Sequence, residues 1–344
     1  MRLPRARRAT AGIGAIVIVV LATMLLAGCG AAARASSRPV SASDANRKPW
    51  YGLTVLRDHI AFTGAPTAAG PPITASSGIL VDIDTGQILW QHEPHRRLAP
   101  ASTIKLLTSM VVLENFAPTR LITATPEALF AGTDETTMHI DPGEKLTVQE
   151  LMTGLLMVSA NDAANVLATE TVGMEKFVAA MNAQAQAVGL QDTHATSPVG
   201  LDDDNMYSSA YDLAVLATLD YTHWQLFRDI VDTQQTVLPA SALHSEFELT
   251  NVDQLLQLYP AAVGIKTGYT GNAGNCLVGL AVRDGHRLLS VLMNEPDYIF
   301  ATSRTLLDWG FTQEGLPTQY PTPTPKPTPA PSPSLAAATP AAHT

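Results

Sequence analysis

Pro100-Ala101-Ser102-Thr103-Ile104-Lys105 opens the apolar run Ile104 to Leu113, and the organisation of the chain is read outward from it. A helical segment that is apolar on nearly every side is a buried one, so this helix is expected to run through the middle of a domain. Ser102 and Lys105 stand three apart, and residues at that spacing share a helix face with Cβ atoms about 5–6 Å apart. The lysine amine therefore reaches the serine hydroxyl. A serine is a poor nucleophile until a base takes its proton, and a lysine buried beside another cation gives up its own proton near neutral pH. Ser102 is expected in the first helical turn, where free backbone N–H groups and the positive helix end favour a developing oxyanion. Taken alone, the pair also fits a capped helix carrying a solvated lysine.

The chain has 344 residues, but both ends are low in complexity, which leaves one large domain rather than two. An apolar fraction of 46% is globular, and a net charge of −10 with no basic patch excludes nucleic acid as a partner. Arg2, Arg5, Arg7 and Arg8 form a basic n-region, and Ala11 to Leu26 an apolar h-region closed by small residues, the pattern of an export signal. Leu26-Ala27-Gly28-Cys29 resembles the lipobox of bacterial lipoproteins, which implies acylation of Cys29 after cleavage. An uncleaved anchor is the rival reading. Lipidation would consume Cys29 and leave Cys276 as a small buried hydrophobe. On this reading 1–28 is a signal peptide of the lipoprotein type, 29–72 a tether, 73–314 the folded domain and 315–344 a stalk. The tether carries one apolar island, Trp50 to Phe62, which sequence leaves open as a strand or short helix packed on the domain.

Ile79 to Ile83 and Gln87 to Trp90 flank Asp84-Thr85-Gly86, a β-hairpin signal. Thr147-Val148-Gln149-Glu150 is a capping box opening a second helix, and Ser159 and Asn161 mark a break before a third. Phe177, Val178, Met181, Ala185 and Val188 space an amphipathic helix that Gly189 ends, and Ser209 caps the next. Val263 to Thr267, Leu277 to Val282 and Leu288 to Met293 are strand-like, the last two joined at Asp284-Gly285, and Phe300 to Trp309 returns to helix. Strands at both ends with helices between predict an α+β fold whose antiparallel sheet is assembled from both ends of the domain and packed with a helical region. From Pro321 to Pro333 proline takes every second place, an extended polyproline-type stalk.

Three motifs then stand in order: Ser102-Thr103-Ile104-Lys105, Ser159-Ala160-Asn161 and Lys266-Thr267-Gly268. Ser-x-x-Lys, Ser-Asp-Asn and Lys-Thr-Gly occur together in β-lactamases and penicillin-binding proteins. With Pro100-Ala101-Ser102, Ser197-Pro198-Val199-Gly200-Leu201 and Gly264 to Thr270, the chain from about Ser77 to Phe311 resembles the D-alanyl-D-alanine carboxypeptidases of the low-molecular-mass penicillin-binding proteins. The resemblance implies a β-lactamase/transpeptidase-like fold. It implies Ser102 as acyl-enzyme nucleophile, Lys105 as its base and Ser159 as proton relay. It also implies Asn161 on Lys105 or the substrate amide, Lys266 and Thr267 on the substrate carboxylate, Gly268 at the substrate backbone, and the N–H groups of Ser102 and Tyr269 as oxyanion hole. Ala160 departs from the Asp of the motif, at a position where the family is loose.

Lys266-Thr267 is no nucleotide-binding loop, since Ile265 rather than Gly precedes it and no helix follows. His92, His95, His139, His194, His223, His244 and His286 show no paired ligand spacing, so no metal or cofactor is expected. The implied substrate is a peptidoglycan stem ending in D-Ala-D-Ala, with β-lactams as covalent inhibitors. The implied location is the outer face of the cytoplasmic membrane, through a lipid on Cys29. Two rivals stay open, a serine β-lactamase and a catalytically silent penicillin-binding lipoprotein.

Overall fold

The computed structural model describes residues 48–50 (backbone only), 53–66, 68–129 and 135–320; the signal peptide, Cys29 and the proline repeat lie outside them. In chain order the elements are β1 (Lys48–Trp50), β2 (Leu53–Val55), β3 (Ser77–Asp82), β4 (Gln87–His92), α1 (Lys105–Asn115), β5 (Leu121–Thr123), β6 (Lys145–Thr147), α2 (Val148–Met157), α3 (Asn161–Thr169) and α4 (Met174–Ala187). There follow α5 (Ala210–His223), α6 (Gln225–Val231), β7 (Gln235–Leu238), β8 (Phe247–Thr250), α7 (Leu255–Leu258), β9 (Ala262–Thr270), β10 (Gly274–Arg283), β11 (His286–Glu295) and α8 (Ile299–Gln313).

The main sheet has the order β4-β3-β11-β10-β9 with every pair antiparallel, so the two ends of the domain meet where β3 pairs β11. Successive strand residues point to opposite faces. Ile79, Val81, Val278, Leu280, Leu289 and Val291 turn to the larger core shared with the helices. Leu80, Leu277, Ala281, Leu288 and Leu292 turn to a smaller core under α8 with Leu306, Leu307 and Phe311. With both faces covered, these strands read as continuous apolar runs instead of alternating ones. The α+β architecture read from strands at both ends with helices between them is the observed one. The local signals also sit where the sequence put them: Thr147 accepts from Glu150 N–H in a complete capping box, and Ser209 caps α5.

α1 is central, with Leu106, Leu107, Met110 and Val112 fully buried. The apolar island of the tether packs against it. Leu53, Val55, Leu56 and Phe62 are buried, and Gln184 on α4 pairs with both Leu56 N–H and C=O at 2.9 Å, as a strand would. Asn115 does the same for Thr54, accepting from its N–H at 2.6 Å and donating to its C=O at 3.0 Å. The folded part thus includes the island from β1 and β2 onward and does not begin at 73. It also ends later than 314. Asp308, a buried residue of α8, accepts from Thr318, from Gln319 N–H at 3.1 Å and from Tyr320 N–H at 3.0 Å, while Arg283 donates to Pro317 C=O at 2.8 Å. Residues 315–320, assigned to the stalk, are stitched to the domain by the buried Asp308 carboxylate and by Arg283.

Candidate active site

Ser102 does not sit in the α-helix. It lies in a 3₁₀ turn, Ala101–Ile104, and Lys105 begins α1. The turn is entered through Ala101 at φ +48°, a left-handed conformation that costs a non-glycine residue on the order of 1–3 kcal/mol. Two neighbours hold it there. Gly268 on β9 lies so close that a Cβ would stand 3.0 Å from both Ala101 Cβ and Ser102 N, and Gly200, at φ +90°, would place one 2.0 Å from Ala101 C=O. The strand and the loop are pressed on the nucleophile turn, and glycine is what permits the approach.

Lys105 is fully buried, and its Nζ has three oxygens around it: Asn161 Oδ1 at 2.6 Å, Val199 C=O at 2.9 Å and Ser102 Oγ at 3.1 Å. Two of these are pure acceptors and take two N–H bonds. In the neutral amine the remaining position is the lone pair, directed at the Ser102 hydroxyl, the geometry a general base needs. Burial pushes the Lys105 pKa well below its usual value and the Lys266 charge pushes it further, with Glu135 and Asp162 opposing. The Val199 carbonyl is fixed by its neighbour, since Thr108, one turn along α1 from Lys105, donates to Pro198 C=O at 2.8 Å.

Ser159 occupies the break between α2 and α3 at φ +60°, the second left-handed non-glycine of the site. Asn161 begins α3. Its Oδ1 is held by Lys105 and its Nδ2 donates to Glu135 at 2.8 Å. Asn161 is therefore held on the base, one of the two partners expected for it. Lys266 and Thr267 lie on β9, the edge of the main sheet. Lys266 is almost fully buried. It lies beneath the wall, donates to Thr267 C=O at 3.0 Å, and is pushed by burial down to about 7, with Asp253 opposing.

Beside these groups runs a cleft of about 360 Å³ lined by Ser102, Ser159, Thr267, Gly268, Tyr269 and Phe300, among others. Its size suits the end of a peptide. Beside it lies the outer edge of β9, which offers unpaired backbone groups to an extended chain. Cys276 also lines the cleft, but burial raises its thiol to about 11, so it is no competing nucleophile. Five of the candidate residues thus line one cleft, and Lys105, Asn161 and Lys266 lie directly under it. Sequence reading missed Glu135, which holds Asn161, and the Val199 carbonyl, which holds Lys105. The carbonyl carries no side-chain signal, and the carboxylate stands in a polar loop without periodicity.

Residues 64–297 match the D-alanyl-D-alanine carboxypeptidase family. The chain is 36% identical over 254 residues to the D-alanyl-D-alanine carboxypeptidase DacB2 of Mycobacterium tuberculosis, covering 72% of this chain and 84% of that one. It is 32% identical to DacF of Bacillus subtilis, covering 70% of this chain and 62% of the relative. Among solved structures it resembles a D-alanyl-D-alanine carboxypeptidase of Mycobacterium tuberculosis, at 36% identity and a TM-score of 0.66 over 74% of this chain and 98% of the other. It also resembles penicillin binding protein 5 of Haemophilus influenzae, at 32% identity and a TM-score of 0.65 over 71% and 73%. With a serine held against a buried lysine beneath a peptide-sized cleft, the chain belongs to the D-alanyl-D-alanine carboxypeptidase family of serine peptidases.

Proposed function

We propose that the chain removes the terminal D-alanine of peptidoglycan stem peptides at the outer face of the cytoplasmic membrane, through an acyl-enzyme on Ser102. The observation that carries this is the Lys105 amine, 3.1 Å from Ser102 Oγ with its two other contacts taken by pure acceptors. Lys105 takes the hydroxyl proton as Oγ attacks the penultimate D-Ala carbonyl. The oxyanion develops toward the N–H groups of Ser102 and Tyr269, where loss of one donor typically lowers the rate about 10²–10³-fold. Ser159 passes the proton from Lys105 to the departing nitrogen, D-alanine leaves, and water then frees Ser102. Thr267, backed by Lys266, meets the terminal carboxylate.

Purified protein should release D-alanine repeatedly from a D-Ala-D-Ala peptide while a penicillin stays on Ser102 for hours by intact-mass spectrometry. The two fates differ because D-alanine departs from the peptide acyl-enzyme, whereas the opened β-lactam keeps its leaving nitrogen tethered beside the ester, and the cleft lining has no carboxylate among the described residues to drive water past it. Of the carboxylates between the second and third motifs, Asp202 is taken up by Thr270 and by Asn272 N–H at 3.2 Å, and Glu170 by Thr125 at 2.6 Å. An adduct that clears within seconds, with no D-alanine from peptide, makes the protein a β-lactamase instead.

Attachment rests on Leu26-Ala27-Gly28-Cys29. Among the described residues no helix is long and apolar enough to cross a membrane. One acyl chain binds membranes only marginally, so the two or more chains of a lipoprotein are what stable attachment needs. Cys29→Ser is expected to abolish labelling by a clickable fatty acid and to release the protein to the medium or leave it as an uncleaved precursor, whereas deletion of 321–344 leaves labelling intact. Full labelling of Cys29→Ser refutes the lipid anchor.

A further inference from the structure

A neutral amine has two N–H donors and one lone pair, and Lys105 divides them among Asn161, Val199 and Ser102. Val199 C=O can only accept, so it takes one N–H at 2.9 Å. What is left for Ser102 depends on which end of the Asn161 amide faces the lysine. With Oδ1 toward Nζ, as observed at 2.6 Å, the amide takes the second N–H and the lone pair stays with the Ser102 hydroxyl. With the amide turned end for end, its nitrogen would donate to the lone pair, Lys105 would point an N–H at Ser102, and the serine would have no base. The two ends of an amide are nearly equal in shape, so hydrogen bonds and not packing choose between them.

The other end of that amide meets Glu135. Asn161 Nδ2 donates to Glu135 Oε2 at 2.8 Å, and an ionised carboxylate has no hydrogen to give, so only the nitrogen end of the amide can face it. The segment that carries Glu135 is stitched to the start of α3. Asn161 N–H donates to Thr136 C=O at 2.7 Å, and Met138 and Ile140 N–H donate to the two Asp162 oxygens at 3.1 Å each. Asp162, the other carboxylate whose field reaches Lys105, is thereby spent on backbone and leaves the Asn161 side chain to Glu135. Asn161 is 5% exposed, so a turned amide would set its oxygen against the carboxylate with little solvent to relieve it.

We propose that Glu135 is a positioning residue for acylation: by accepting from Asn161 Nδ2 it holds the amide with its oxygen on Lys105, and so keeps the lysine lone pair for Ser102. It acts through Asn161 and not on the ligand. The proposal rests on the reading of Ser102 as acyl-enzyme nucleophile and deepens it by naming what sets the base.

The charge of Glu135 has a separate effect of opposite sign. Glu135 and Asp162 favour a proton on Lys105 and Lys266 disfavours it, so loss of the Glu135 charge alone moves the acid limb to lower pH and raises the rate there. Above that limb Lys105 is already neutral, and orientation is what counts. The experiment is stopped-flow acylation by a fluorescent penicillin from pH 5 to 9, resolving the acylation rate constant and the dissociation constant of the non-covalent complex, in wild type and Glu135→Gln. Glutamine keeps the size of the side chain, but its amide pairs with Asn161 in either orientation. On the alkaline plateau the rate constant is expected to fall about tenfold, the loss when nine in ten molecules hold the turned amide. The dissociation constant is expected to stay unchanged and every chain to become labelled in the end. Glu135→Ala, which removes the acceptor, is expected to give a fall of the same order. In an Asn161→Ala background Glu135→Gln is expected to change the plateau by less than about twofold, because no amide is left to orient. An unchanged plateau, with or without a faster rate at acid pH, overturns the proposal, as does an equal fall in the Asn161→Ala background. Fewer labelled chains at an unchanged rate constant overturn it too and leave Glu135 a packing residue. Acylation precedes any release of D-alanine, so a wild type that acylates and releases none overturns the carboxypeptidase reading and not this one.

Discussion

Ser102→Ala is expected to abolish covalent labelling by a fluorescent penicillin and to lower D-alanine release by about 10⁶-fold, as removal of a serine nucleophile does elsewhere. The fold should survive, because the lost hydroxyl makes one long contact, 3.4 Å to Val199 C=O, apart from that to Lys105. Lys105→Met keeps most of the volume of the buried side chain but has no lone pair on nitrogen. It should still bind peptide while acylating about 10²–10⁴-fold more slowly, the usual weight of a general base. In wild type the acid limb of kcat/KM should lie far below the ordinary lysine range, because burial and Lys266 depress the Lys105 pKa. The sign is fixed: rate falls as pH falls and the base takes up a proton. Labelling that persists in Ser102→Ala on another residue refutes the assignment.

What the sequence made legible divides by range. Signals that act within a few residues were readable: the Thr147 capping box, Ser209 at the start of α5, the Asp284-Gly285 turn and the three-residue spacing of Ser102 and Lys105. The strands were readable because both faces of the sheet are covered, which makes each an apolar run. The pairing of Leu56 with Gln184 was hidden, since an amide side chain 128 residues away completes a backbone ladder and no local pattern announces it. Nothing between 239 and 246 carries a tight-turn signature, so the hairpin of β7 and β8 was not read. The 3₁₀ turn at Ala101–Ile104 was hidden for a third reason. Its cause is the pressure of Gly268 and Gly200, and sequence reading set Gly268 at the substrate backbone but placed neither glycine against Ala101. Motif spacing identified the groups that react, while the groups that orient and charge them come from loops far away in the chain.

Lys266→Ala is the second large effect, and it separates charge from contact. Truncating one member of a buried charge pair typically weakens binding by about 2–5 kcal/mol, so kcat/KM for a carboxylate-terminated peptide should fall about 10²-fold or more. The loss is expected even though Lys266 lies under the wall of the cleft, because its field reaches the carboxylate through a poorly screening interior and Thr267 presents the hydroxyl. A peptide ending in an amide has no charge for that field to act on. It should be a poor substrate of wild type and lose little more in the variant. A second consequence has the opposite sign. Without the Lys266 charge one of the two causes depressing the Lys105 pKa is gone, so the acid limb for the amidated peptide should move to higher pH. Equal losses for the two peptides, with an unmoved acid limb, would mean that Lys266 supports β9 by packing alone.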